Sequence, residues 1–237
     1  MVGILIALLL SWAALYFIEK RSILALGFTP VVKRLVQFFA GFIITALLCL
    51  TNELLEVYLR SATVNLSASF SFQMLMSRLW WDFRSVLTEE LIFRGAILYI
   101  LIARIGQKKA ILISAVAFGV YHWFSYGLFG NLVPMIVIFT GTGLMGYAWA
   151  LAFAKTRSIF LPTGLHLGWN FTLNTVFSKG PLEGGMLWVN GTHKISDWYS
   201  LIELWVIPLI LLLILIYAFR VLPENTYHTE DRPDTKR

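Results

Sequence analysis

The chain has 237 residues, 58% of them hydrophobic and only 14% charged, with a mean hydropathy of +0.75. So few polar residues cannot cover a soluble globule of this size, which excludes a soluble enzyme and predicts an integral membrane protein. The formal charge of +6 does not mark a nucleic-acid partner, because the basic residues are spread through loops and form no aromatic-interleaved stripe.

A helix needs roughly 20 apolar residues to cross the hydrocarbon core, and that ruler predicts about seven spans, near 2–18, 35–58, 80–103, 109–127, 132–154, 159–177 and 198–220. The first run lacks a basic flank and a small-residue cleavage site, so it reads as a span and not as a removable signal. Gly127, Gly130 and Pro134 break the chain after the fourth span, and Pro162 and Gly164 interrupt the start of the sixth. Residues 61–79, where Ser, Thr and Asn alternate with small or apolar residues, are expected to form an external loop. Residues 178–197 carry Gly180-Pro181, Gly184-Gly185 and Asn190-Gly191, which predict turns. The tail from Pro223 is polar and charged and is expected to be disordered. The domain reading is therefore one polytopic membrane domain over 1–222 followed by a cytoplasmic tail, 223–237.

Lysine and arginine sort with this count. The loops after spans one, three and five, together with the tail, hold residues such as Lys20, Arg34, Arg104, Lys108, Lys155 and Arg220, whereas the other side holds only Arg60, Arg78, Lys179 and Lys194. The positive-inside rule then puts the N-terminus outside and the C-terminus in the cytoplasm.

Glu89-Glu90-Leu91-Ile92-Phe93-Arg94 lies within the third span, where a charge costs about 2.5–3.5 kcal/mol and survives by facing a partner or a wet cavity. On a helix Glu90 and Arg94 share a face, while Glu89 is turned about 100° away. Arg94 can neutralise Glu90, which leaves Glu89 as the carboxylate able to exchange a proton. Phe118-Gly-Val-Tyr-His122 ends the fourth span, and His166-Leu-Gly-Trp-Asn170 lies in the sixth. In lipid each of these groups needs a polar partner, and one shared cavity supplies them all. Two imidazoles, a carboxamide and a free carboxylate suit peptide hydrolysis by activated water. No serine or threonine has the setting of a nucleophile, and Cys49 lies in a different, leucine-rich segment.

Glu-Glu-x-x-x-Arg, Phe-x-x-x-His and His-x-x-x-Asn, in that order on three membrane helices, resemble the CPBP family of intramembrane proteases. That family unites the type II CAAX prenyl endopeptidases with bacteriocin-processing and abortive-infection proteins. The resemblance covers about Trp80 to Phe177 and leaves spans one, two and seven outside. It implies that Glu89 activates water together with His122, that His166 and Asn170 form the oxyanion site, and that Glu90 and Arg94 hold the arrangement. It further implies an endopeptidase in a bacterial or archaeal cell membrane, acting on a membrane-bound or lipid-proximal peptide. No cofactor is expected. Were zinc present, its ligands would be His122, His166 and Glu89, but the chain lacks His-Glu-x-x-His.

The fold class expected is an all-α polytopic membrane helix bundle with a core of about four helices around a polar cavity. Two other functions compete: a non-catalytic immunity or partner-docking protein, and a proton-coupled transporter, against which the lack of an inverted repeat argues. Glu53, Glu56 and Arg60 are expected to form an interfacial ion-pair patch, and Asp82, Arg84 and Glu203 to sit near the interface, with Arg84 or Glu203 able to reach the cavity mouth. Trp80, Trp81, Trp123 and Trp198 suit an aromatic belt. His193 and His228 are given no role.

Overall fold

The structure, a computed structural model, describes residues 2–182, 184–191 and 197–221. Lys194, His193, His228 and the tail 223–237 therefore lie outside the described residues. Helices account for nearly all the regular structure: α1 (Val2–Ala14), α2 (Val31–Leu59), α3 (Phe72–Phe93), α4 (Ala96–Ile105), α5 (Gln107–Ser125), α6 (Leu132–Thr156), α7 (Phe160–Asn170) and α8 (Asp197–Val221). A π-helical turn, Leu15–Glu19, extends α1, and another, Phe171–Val176, extends α7.

Four apolar stretches among the described residues are long enough to cross a bilayer: Val2–Glu19, Val31–Leu59, Leu132–Thr156 and Glu203–Val221. Their outward faces carry bare leucine, isoleucine and valine, for example Leu5, Leu9, Val32, Leu47 and Leu213. Such an apolar girdle is stable only against lipid hydrocarbon. This is an all-α membrane bundle, as its composition implies.

The other three spans are shorter or more polar, because they carry the charged motifs. The stretch expected over 80–103 is two helices: α3 ends at Phe93 and α4 begins at Ala96. At Gly95 a Cβ would lie 2.1 Å from the Leu91 carbonyl oxygen, so the break takes a shape open only to glycine. The carbonyl of Phe93, left over at the end of α3, accepts from Ser114 Oγ of α5 at 2.9 Å. The α3 helix also starts earlier than expected. Ser71 caps it, its hydroxyl accepting from the Met74 amide at 3.2 Å, so 72–79 are helical and not loop. The alternating residues before them form a strand, β1 (Thr63–Leu66), that pairs antiparallel with β2 (Leu187–Asn190), Thr63 opposite Asn190. The period-2 pattern of 61–71 is a strand signal, and its partner lies within the segment expected to hold only turns.

Side-chain ties show that the connections alternate between two ends. At one end Arg104 Nε meets Glu19 at 2.9 Å, Arg34 donates to the Thr156 carbonyl at 3.1 Å and Ser158 to the Gly27 carbonyl at 2.8 Å. These ties gather the connections after spans one, three and five. At the opposite end lie the β1–β2 ribbon and the links from Lys179 and Glu203 to α2.

Helix α7 is the centre of the bundle, with every residue from Leu161 to Gly168 buried. Pro162 falls in its first turn, where a missing amide does no harm. Glycines let α2 press against it: a Cβ on Gly164 would lie 2.0 Å from the Phe38 carbonyl oxygen and one on Gly168 2.2 Å from that of Phe42. Thr45 Oγ1 crosses the same seam to the Leu165 carbonyl at 2.5 Å. Below the site, Leu15, Leu26, Leu98, Phe153 and Ile159 form a dry cluster. Around it, Phe118, Trp149, Leu165, Leu211 and Leu215 form a second.

Candidate active site

The two adjacent glutamates of α3 meet different surroundings. Glu90 is fully buried, and its Oε1 receives Arg94 Nη1 at 3.1 Å and His166 Nδ1 at 2.9 Å. Glu89, one residue back and so turned to another face, keeps its carboxylate on a cavity of about 850 Å³. Among the described residues its side-chain hydrogen bonding is limited to a long contact of 3.5 Å from Ser85 Oγ.

Arg94 shares the burial of Glu90. Its guanidinium lies 4.1 Å from the ring centre of Phe118 and 5.2 Å from that of Trp149, and Nη2 donates to the Gly146 carbonyl at 3.3 Å. Only glycine fits there, since a Cβ at 146 would stand 2.9 Å from Phe118 and 3.0 Å from Arg94 Nη2. The pair is thus enclosed by aromatic faces, where cation–π attraction offsets part of the desolvation.

His166 bridges the two glutamates. A carboxylate only accepts, so Nδ1 is the donor to Glu90, and Nε2 lies 3.8 Å from Glu89 Oε2. The indole of Trp149 stacks on the ring at 3.9 Å between centroids and 21° between planes. His122 is oriented in a parallel way, with Nδ1 donating to the Phe118 carbonyl at 2.8 Å and the Phe118 ring edge-on at 4.5 Å. Its Nε2 has no protein partner among the described residues. Asn170 lines the same cavity from the last turn of α7 and has no hydrogen-bond partner among the described residues. The cavity thus collects Glu89, His122, His166 and Asn170 on one wall-to-wall surface, with Glu90 and Arg94 behind it. Glu90 Oε2, Arg94 Nε and Trp149 Nε1 are buried there without a protein partner.

Helix α8 closes the cavity with Glu203, Leu204, Ile207 and Pro208, and Lys179 lines its rim. Asn52 of α2 holds Glu203 at 2.5 Å. Two of the polar residues expected near the interface, Glu53 and Asp82, are buried. Glu53 does not join Arg60 but is buried against Lys179 at 2.8 Å, while Glu56 pairs with both Arg60 and Lys179. Burial works against the charge of Lys179, but its hydrogen bonds to the two glutamates outweigh that and hold its pKa above the usual lysine range. Asp82 is buried, accepting from Asn174 at 2.7 Å and Thr175 at 3.1 Å, because the π-helical turn after α7 brings these two residues onto α3. Of the belt tryptophans, Trp198 and Trp80 are exposed, but Trp81 lines the cavity.

The motif spacing did not reveal Trp149, Gly146 or Lys179. Nothing in the sequence marked Lys179 as a partner of α2. Among the described residues no group of three or more His, Cys, Asp or Glu side chains is arranged to hold a metal ion.

Residues 71–172 match the family model described as type II CAAX prenyl endopeptidase Rce1-like. The match starts at the cap of α3, ends just past α7 and contains all three motifs. Over this segment the chain is similar to a family of membrane proteases, which are hydrolases, and the resemblance carried by the motifs is thereby shown. No curated protein and no solved structure matches the chain.

Proposed function

We propose that the chain is an intramembrane endopeptidase that hydrolyses a peptide bond of a membrane-associated substrate with water activated by Glu89 and His122. The observation that carries this reading is the asymmetry of the glutamate pair: Glu90 is fully buried with its Oε1 held by both Arg94 and His166, while Glu89 opens on the cavity with His122, His166 and Asn170.

Glu89 takes a proton from water as the oxygen attacks the scissile carbonyl carbon, and His122 Nε2 accepts the second water proton as a hydrogen bond. The oxyanion then needs donors already in place. Asn170 supplies its amide. His166 supplies Nε2–H only when both ring nitrogens carry protons, since Nδ1 is committed to Glu90, and the carboxylates at 2.9 and 3.8 Å balance that charge. Collapse of the intermediate breaks the C–N bond, and Glu89 returns its proton to the leaving amine. No step uses a metal. The membrane placement of the site and the family description together extend the substrate class to a lipid-bearing or lipid-proximal polypeptide.

Purified Glu89→Ala, Glu89→Gln and His122→Ala proteins in a peptide-cleavage assay test the reading. Loss of a positioned base costs roughly 10²–10⁴ in rate. Glu89→Ala cleaving within threefold of wild type would remove the proposed base.

A further inference from the structure

We infer that Trp149, which lies outside all three motifs, is a positioning residue for His166: its indole face sets the plane of the imidazole so that Nε2 stays aimed at Glu89. The inference rests on the hydrolase reading for its kinetic consequence and on geometry for its substance.

The hydrogen bond from Nδ1 to Glu90, 2.9 Å long, pins one atom of the ring. It leaves the ring free to tilt about that bond, and a tilt swings Nε2, at the far side of the imidazole, away from Glu89. Two neighbours restrict the motion. Phe118 meets the ring edge-on at 6.1 Å and 87°, too distant and too perpendicular to define its plane. Trp149 lies parallel at 3.9 Å and 21° and covers the face. The indole is itself held, being 3% exposed with Phe118 edge-on at 5.5 Å and the Arg94 guanidinium at 5.2 Å. Its helix position fits the task, since Trp149 and Gly146 are three residues apart on one face of α6. Gly146 lets that face approach Arg94 and Phe118. One short stretch of α6 therefore fixes both the guanidinium behind Glu90 and the imidazole in front of it.

The chemistry is sensitive to such placement, because a displacement of about 1 Å in a catalytic group costs around 10²-fold in rate. Replacement of Trp149 by a flat ring and by a side chain without a plane separates positioning from simple filling. Trp149→Phe is expected to keep kcat within about fivefold of wild type. Trp149→Met, which fills much of the space but offers no face, is expected to lower kcat at least tenfold with KM within threefold. Independently of turnover, ¹⁵N-histidine NMR of the protein in nanodiscs reads the Nδ1 and Nε2 signals of His166. Wild type and Trp149→Phe should show one sharp pair of signals, and Trp149→Met a second set or exchange broadening. Equal kinetic loss in the Phe and Met proteins, a loss confined to KM, or an unchanged His166 signal in Trp149→Met would each overturn the inference. Should the wild type cleave no peptide, the hydrolase reading fails, and the NMR comparison still decides the positioning claim.

Discussion

Removing the guanidinium of Arg94 should damage the folded state far more than an ordinary substitution, and removing its partner's charge as well should undo most of the damage. Arg94 and Glu90 are both fully buried and lie 3.1 Å apart. Arg94→Met leaves Glu90 facing His166 alone, and stranding one member of a buried pair costs about 3–5 kcal/mol. The carbonyl of Gly146 also loses its donor, and the Phe118 face loses a cation worth about 0.5–2 kcal/mol. The two losses together come to about 3.5–7 kcal/mol, and at roughly 2–4 °C per kcal/mol for a chain of this size the single variant should melt roughly 7–28 °C below wild type in detergent. In the double variant Glu90→Gln, Arg94→Met no charge is stranded, and the carboxamide that replaces the carboxylate can still accept from His166 through its carbonyl. Exchanging a buried ion pair for neutral groups is often close to neutral, so the double should recover at least half of the lost melting temperature. Thermal melts of wild type, both singles and the double form the cycle. A double variant as unstable as the sum of its singles, or an Arg94→Met protein as stable as wild type, would refute the account of an enclosed pair.

Three further outcomes are expected. Gly168→Val should destabilise strongly and Gly143→Ala hardly at all, because a Cβ at 168 meets the Phe42 carbonyl at 2.2 Å whereas one at 143 finds only the Ala115 carbonyl at 3.5 Å; detergent melts compare the two, and equal melting temperatures would contradict the α2–α7 seam. Chelators should leave peptide cleavage unchanged, since the proposed activation of water uses Glu89 and His122 without a metal; one equivalent of zinc by elemental analysis with zinc-dependent recovery of rate would recast Glu89 as a metal-site residue. Single cysteines at Lys108 and Asn190, on a Cys49→Ala background, should react with impermeant reagents from opposite faces of the membrane, Lys108 from the cytoplasmic one; labelling from the same face would break the seven-span topology.

The pattern of legibility follows from range. Spacing within one helix is local, so the pairing of Glu90 with Arg94 and the separate exposure of Glu89 could be read directly from i,i+4 geometry. The convergence of His122 and His166 on the same cavity was also legible, because intramembrane polar groups have few other places to go. What could not be read depends on contacts between distant elements. The break at Gly95 requires the close approach of the Leu91 carbonyl, which a run of apolar residues conceals. The i,i+4 pair of Glu56 with Arg60 was readable from spacing, but the partner of Glu53 is Lys179, 126 residues away. The strand at Thr63–Leu66 is stable only because Leu187–Asn190 arrives beside it. His166 was expected to form the oxyanion site with Asn170 in a shared cavity; its hold on Glu90 and its stacking on Trp149 come from three helices meeting at one ring.

The seam between α2 and α7 limits how portable the motif-bearing segment is. Residues 71–172 contain every motif, yet α7, which carries His166 and Asn170, rests its glycine face on carbonyl oxygens of Phe38 and Phe42 and receives a hydroxyl from Thr45. A chimera that joined this segment to a foreign second helix would need a small residue at the place of Gly41, where a Cβ would stand 2.8 Å from the Leu161 carbonyl oxygen. A bulkier residue there would wedge α7 away and carry His166 out of reach of Glu90. The helix that carries none of the motif residues thus sets which partners the motif-bearing segment can accept.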